Sequence, residues 1–229
     1  MARTFLRDLF NLFYPDLCAA CGRTMNAGER FLCSVCLWRL PKTNFHLQQD
    51  NPVLRRFWGK TNVTSAASFI FFDKGEKVQR MLHSLKYQNN TELGVFLGQV
   101  YGNELKASQE FSGCDAIVPV PLHLKKIRTR GYNQSDFIAD GLSHALGIPV
   151  YKKFLERTVF TSTQTRKSRY ARFENVDNVF KLNGEKTNAK HFLLVDDIIT
   201  TGSTLEACAR CLNHIEGVKV SVATIACTF

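Results

Sequence analysis

The segment Phe192-Leu-Leu-Val-Asp-Asp-Ile-Ile-Thr-Thr-Gly-Ser-Thr-Leu205 constrains the fold of this chain more than any other. Its first four residues form a short, wholly apolar run, as a strand buried on both faces of a parallel sheet requires. The strand is expected to end at Val195, which sets Asp196 and Asp197 at its carboxyl edge, where open α/β sheets bind ligands. A short loop from Ile198 to Gly202 then opens a helix at Ser203 or Thr204, with Leu205, Cys208, Leu212 and Ile215 turned inward. Loop and helix start together form a phosphate cradle. Backbone N–H groups point outward, the helix dipole favours an anion, and Thr200, Thr201, Ser203 and Thr204 add hydroxyl donors. Gly202 allows the close approach or positive φ that such a loop needs.

Two acids beside a phosphate cradle would repel the phosphate, so they serve another part of the ligand. Carboxylates accept hydrogen bonds from vicinal hydroxyls, and a hard metal ion can join them through water. A phosphate with a diol close by describes a ribose 5-phosphate. The plainer alternative makes Asp197 a helix cap and Asp196 a strand end; it accounts for one acid but not for the whole string.

Around this segment strands and helices alternate, which indicates a parallel, doubly wound sheet. Ala67 to Phe72, Asp115 to Val120 and Val218 to Ala226 read as strands. Val78, Met81, Leu82 and Leu85 mark one helix face, Glu92 to Leu105 a second helix, and Phe137, Ile138, Leu142 and Leu146 a third. The length of 229 residues suits one main core with a small satellite. The expected division is 1–60 (helix, cysteine knuckle, linker) and 61–229 (main domain), with Pro41 to Lys60 as a linker or loosely packed stretch. An amphipathic helix at about 3–14 is too short and polar to span a bilayer, and no signal peptide is evident. The expected compartment is therefore the reducing cytoplasm, where eight cysteines favour metal binding over disulfides.

Cys18-x-x-Cys21 and Cys33-x-x-Cys36 form two knuckles separated by eleven residues. Four thiolates at this spacing suit one tetrahedral Zn²⁺, and four protein ligands leave no open position, so the metal is expected to be structural. An iron–sulfur cluster and a redox pair are the alternatives. Cys208 and Cys211 also spell C-x-x-C, but on a core-facing helix, and read as small apolar residues.

Charge is unevenly placed. The net charge is +10, and residues 123–172 hold eleven Lys/Arg against three Asp/Glu. Such a block marks a polyanion partner, nucleic acid or a polyphosphate, with a solvated basic face as the competing reading.

The apolar-Asp-Asp-x-x-Thr-Thr-Gly-Ser-Thr string resembles the signature by which type I phosphoribosyltransferases bind phosphoribosyl pyrophosphate (PRPP). Leu85-Lys-Tyr87, Pro119-Val-Pro-Leu-His123, Arg130-Gly-Tyr-Asn-Gln134, Gln164-Thr165, Arg172 and Asn175 extend the likeness. Together they resemble the ComF family of competence-associated, phosphoribosyltransferase-like proteins over nearly the whole chain, cysteines included. The resemblance implies a type I phosphoribosyltransferase-like parallel sheet flanked by helices, with a small N-terminal zinc module. It implies that Asp196 and Asp197 hold the ribose hydroxyls and that Thr200, Thr201, Gly202, Ser203 and Thr204 wrap the 5-phosphate, with Mg²⁺ accompanying PRPP. In such a site the basic loop Lys125, Lys126, Arg128 and Arg130 meets the pyrophosphate. The polar stretch between Leu155 and Phe180, with Gln164, Arg169 and Arg172, reads as a lid.

No side chain stands out as a general base, and the acceptor is not written in the sequence. A different class of function competes with transfer: a non-catalytic accessory protein that binds single-stranded DNA through basic surfaces. The resemblance links the chain to DNA uptake and natural transformation. Arg23, Arg30, Arg39, Phe31 and Trp38 of the zinc module would be its contacts.

Overall fold

The computed structural model describes residues 15–72, 75–87, 90–158, 179–184 and 187–228. The cysteine knuckles lead into a short helix, α1 (Ser34–Trp38). Strand β1 (Ser65–Phe71) precedes α2 (Glu76–Tyr87), α3 (Thr91–Lys106) and the single turn α4 (Gln109–Ser112). Then follow β2 (Ala116–Pro119), α5 (Leu124–Arg130), α6 (Gln134–Leu146), β3 (Leu155–Arg157), β4 (Phe180–Leu182), β5 (His191–Ile199), α7 (Ser203–Asn213) and β6 (Lys219–Cys227). Four strands make one parallel sheet in the order β1-β6-β5-β2, and β3 and β4 form a separate antiparallel pair. This is the parallel sheet flanked by helices that the sequence pattern requires.

The central strands β5 and β6 are apolar because helices cover both of their faces. Phe192 to Val195 are wholly buried, and so is nearly all of β6. Strand β5 does not stop at Val195. It pairs with β6 through Asp196↔Thr224 to Ile199↔Cys227, so both acids lie within the ladder and the loop shrinks to Thr200–Gly202. The neighbour's length explains this: β6 runs on to Cys227 and offers partners beyond Val195.

The stretch from Pro41 to Lys60 is not loose. Thr43 N–H donates to Phe69 O (3.0 Å), and Phe71 N–H to Pro41 O (2.8 Å), which covers the free edge of β1. Val53 and Phe57 are core residues, and buried Asn51 donates to Phe45 O, Gln48 O and Ala66 O while accepting from Val53 and Leu54 N–H. Polar composition concealed this, because the polar atoms are satisfied internally.

Helices α3 and α6 approach closely through glycines. A Cβ on Gly98 would lie 2.3 Å from Ile138 O, and one on Gly141 only 2.1 Å from Val95 O. The basic segment after β2, expected as a loop, is the helix α5. His123 caps it by accepting from Lys125 N–H (3.1 Å), and Gly131 ends it in the left-handed region. The expected helix at 3–14 and the expected lid residues Gln164, Arg169 and Arg172 lie outside the described residues. No helix among the described residues is long and apolar enough to cross a membrane.

Candidate functional site

The site forms where β5 hands over to α7. Asp197 is buried and Asp196 partly so. The Ser135 hydroxyl at the start of α6 donates to Asp196 Oδ1 (2.9 Å), as does the Asp197 N–H (2.9 Å). Lys86, near the end of α2, places its ammonium 2.9 Å from Asp197 Oδ2. Burial raises the Asp196 carboxyl to about 7 and the Asp197 charge adds to the rise, while the Asp197 N–H, the Ser135 hydroxyl and the Lys86 ammonium oppose it. Two crowded acids thus sit beside the Lys86 ammonium. Acceptor oxygens held at a strand end by neighbouring donors suit a ligand that brings hydroxyls or a metal ion.

The loop after β5 is a tight turn into α7. Gly202 takes φ +83°, a conformation that side chains disfavour, and directly precedes the first residue of α7. The Thr201 and Ser203 hydroxyls lie 3.0 Å apart, and Ser203 N–H donates to Thr201 Oγ1 (3.4 Å). Asp196, Thr200, Thr201, Gly202, Ser203 and Thr204 line one hollow. Sequence reasoning grouped these residues, and the structure brings them together. It did not find Arg56, whose guanidinium donates to Thr200 O and Thr228 O.

Strand β2 runs beside β5, with Val120 N–H donating to Val195 O (2.8 Å), so α5 begins one strand away from the acids. Lys125, Lys126 and Arg128 are exposed on α5 and do not line the hollow. Arg130 turns toward Gln134, donating to its Oε1 at 3.2 Å. Buried Tyr132 donates to Leu85 O (2.8 Å), which ties the end of α2, and with it Lys86, to the turn before α6. Arg157 on β3 bears electrostatically on both Asp196 and His123. Lys86 belonged to a motif, Leu85-Lys-Tyr87, without an assignable chemistry. The available signal was its place directly after the last core position of an amphipathic helix. Arg157 was marked only as part of the polar stretch between Leu155 and Phe180, and Ser135 carried no signal at all.

At the other end of the chain the Sγ atoms of Cys18, Cys21, Cys33 and Cys36 all lie within 4.8 Å of one another. Cys21 and Cys33 are 3.9 Å apart, close to the edge of about 3.8 Å expected for a tetrahedron with Zn–S bonds of about 2.3 Å. Burial pushes the Cys18 thiol up, but N–H groups of Cys21, Cys33 and Ala20 outweigh it and bring it down to about 7. The four-cysteine donor set therefore fits a tetrahedral metal ion such as zinc. The knuckle packs against α3, with the Phe31 and Phe96 rings 5.5 Å apart.

The family model described as the phosphoribosyl transferase domain matches residues 127–228. The chain is 31% identical over 225 residues to competence protein F of Haemophilus influenzae, covering 92% of this chain and 96% of that protein. It is 30% identical over 221 residues to the DNA utilization protein YhgH of Escherichia coli K12, covering 88% and 92%. The corresponding protein of Salmonella typhimurium is 33% identical with the same coverage. Among solved structures, the glutamine PRPP amidotransferase of B. subtilis superposes with a TM-score of 0.43 at 18% identity, over 62% of this chain and 30% of that one. With full-length relatives above 30% identity, a phosphoribosyl transferase domain match and a four-cysteine cluster, this chain belongs to the ComF family of competence-associated, phosphoribosyltransferase-like proteins.

Proposed function

We propose that this protein binds PRPP with Mg²⁺ and presents its anomeric carbon to an acceptor nucleophile that displaces pyrophosphate. The observation that carries this reading is the single hollow joining Asp196 to the Thr200–Thr204 loop, with Asp197 buried beside it. In it the loop amides and the hydroxyls of Thr200, Thr201, Ser203 and Thr204 hold the 5-phosphate, and Gly202 lets the backbone approach. Asp196 and Asp197 accept from the ribose hydroxyls. Lys125, Lys126, Arg128 and Arg130 serve the pyrophosphate end, and Gln164, Arg169 and Arg172 close over it. The hard carboxylate oxygens of the acid pair suit Mg²⁺, which supplies charge neutralisation to a leaving pyrophosphate. Rate acceleration then comes from position and charge stabilisation, with no side chain acting as nucleophile. Zinc at Cys18, Cys21, Cys33 and Cys36 is structural.

Relatives named for competence and DNA utilization favour a second role, binding of single-stranded DNA. Trp38, 82% exposed on α1 beside Arg39, offers a stacking surface on the zinc module. The test is calorimetric titration of PRPP, with and without Mg²⁺, into the zinc-replete wild type and Asp197→Asn. The expected result is Mg²⁺-dependent binding weakened at least about tenfold in the variant, the scale of one charge-assisted contact. A wild type that does not bind PRPP sinks the transferase reading. Oligonucleotide binding that survives in Asp197→Asn and falls steeply with salt then carries the second role.

A further inference from the structure

We propose that Arg56 is a positioning residue of the phosphate loop, which makes the segment after the cysteine knuckles a working part of the phosphate site. The proposal rests on reading Thr200–Thr204 as the seat of a sugar phosphate. Arg56 lies outside every motif of the sequence, in the stretch that composition presents as a linker.

Its guanidinium forms a fork across two neighbouring chain ends. One nitrogen donates to Thr200 O, the first carbonyl of the loop after β5, and another to Thr228 O, just beyond β6. These ends already adjoin, since Ile199 pairs with Cys227 and Thr228 N–H donates to Ile199 O (3.1 Å). A planar fork with fixed donors suits such a pair of acceptors better than a point charge does. The arginine stem completes the arrangement. A Cβ on Gly202 would lie 3.6 Å from Arg56 Cβ and 3.9 Å from its Cδ, so the stem closes one side of the loop against Gly202.

Peptide geometry turns this anchor into a consequence for the ligand. In a trans peptide the carbonyl and the following N–H point in opposite directions. Holding Thr200 O against Arg56 therefore aims Thr201 N–H away from the guanidinium, to the opposite side of the loop. A cradle works only if its N–H groups converge, and a loop this short has few other restraints. The guanidinium also leaves a positive charge behind the loop, which favours an anion in front of it.

The origin of Arg56 is equally well determined. Asn51 satisfies three carbonyls and two N–H groups of its surroundings and so fixes the 3₁₀ turn Leu54–Phe57. Val53 and Phe57, with 0% and 1% exposure, nail that turn to the core on either side of Arg56. The arginine is thus presented from a rigid base, and little side-chain freedom remains to be lost when the loop is held.

The experiment uses full-length, zinc-replete Arg56→Met, which keeps the stem beside Gly202 and removes the donors, and Arg56→Lys, which restores an ammonium. Ribose 5-phosphate and inorganic pyrophosphate are titrated separately, and thermal unfolding is followed in parallel. The expected outcome is a loss of about tenfold in ribose 5-phosphate affinity for Arg56→Met, the worth of a charged hydrogen bond. Pyrophosphate affinity stays at the wild-type value, and Arg56→Lys recovers part of the loss. Wild-type ribose 5-phosphate affinity in Arg56→Met overturns the proposal. An equal fall for both ligands, tracking a fall in melting temperature, also overturns it by assigning Arg56 to general stability. If Arg56→Met does not fold, Arg56→Lys decides. Weaker ribose 5-phosphate binding with unchanged pyrophosphate binding supports the proposal, and wild-type values for both overturn it. A wild type that binds neither ligand refutes the PRPP reading itself, a different result from any of these.

Discussion

Lys86 and Asp197 show how a single ion pair holds the site together before any ligand arrives. The pair is mostly shielded, with side-chain exposures of 23% and 11%, and its carboxylate sits next to a second acid. Removing one partner of such a pair leaves the other charge desolvated, and that penalty exceeds the net worth of the pair. Lys86→Met is therefore expected to lose roughly 1–3 kcal/mol of stability, below the range for fully buried pairs because Lys86 still touches solvent. The double variant Lys86→Met/Asp197→Asn is expected to be more stable than Lys86→Met alone, since it removes the stranded charge as well. Urea denaturation of the two single variants, the double variant and the wild type makes the cycle complete. Strict additivity of the two losses would show that the 2.9 Å contact carries no energy. Lys86 was visible in the sequence only as part of a motif, because a contact between residues 86 and 197 depends on packing and not on spacing.

At the scale of elements, the site depends on how closely α3 and α6 pack. Gly94, Gly98 and Gly102 recur every fourth residue along one side of α3, and Gly141 of α6 meets Gly98. This contact sets the depth of α6, whose first turn delivers Ser135 to Asp196. A methyl at Gly98 or Gly141 meets backbone, which cannot swing aside, whereas one at Gly94 meets the Leu85 side chain at 3.0 Å and Phe137 Cβ at 3.1 Å. Gly98→Ala and Gly141→Ala are each expected to cost about 2–4 kcal/mol despite the better helix propensity of alanine. Gly94→Ala should cost less than either. Denaturant midpoints test the ranking, and a Gly98→Ala protein as stable as wild type would mean that the helices can separate freely. Helix α5 makes the complementary point. Its His123 cap and Gly131 terminus were both present in the sequence, yet the density of basic residues there suggested a loop.

At the scale of the whole molecule, the cysteine module and the α/β unit share one core. Leu32 and Cys36 are buried in the same apolar cluster as β1 and α2, and residues 41–43 pair along the edge of β1. Metal binding to four thiolates contributes folding free energy to whatever is built around it. Stripping zinc with a chelator is therefore expected to lower the melting temperature of the entire chain in one transition, as is Cys18→Ser. Two separate transitions, with the upper one at the wild-type temperature, would show that the module folds independently of the sheet.

Residues 192–205 illustrate what sequence alone determined. An uninterrupted apolar run, two acids, a Thr-Thr-Gly turn and a helix start are all local, so hydrophobicity, turn chemistry and helix capping specify them within fourteen positions. The paired Cys-x-x-Cys knuckles are equally local, and their spacing brings four sulfurs together as expected. Only the tertiary structure decided what stands behind these pieces. The length of β5 was set by its partner β6, and the depth of α6 by glycines on α3. The cation at Asp197 and the guanidinium under the Thr200–Gly202 loop come from residues 111 and 144 positions away in the chain. Such contacts follow from the sum of packing across the whole core, and no short-range pattern in a single sequence encodes that sum.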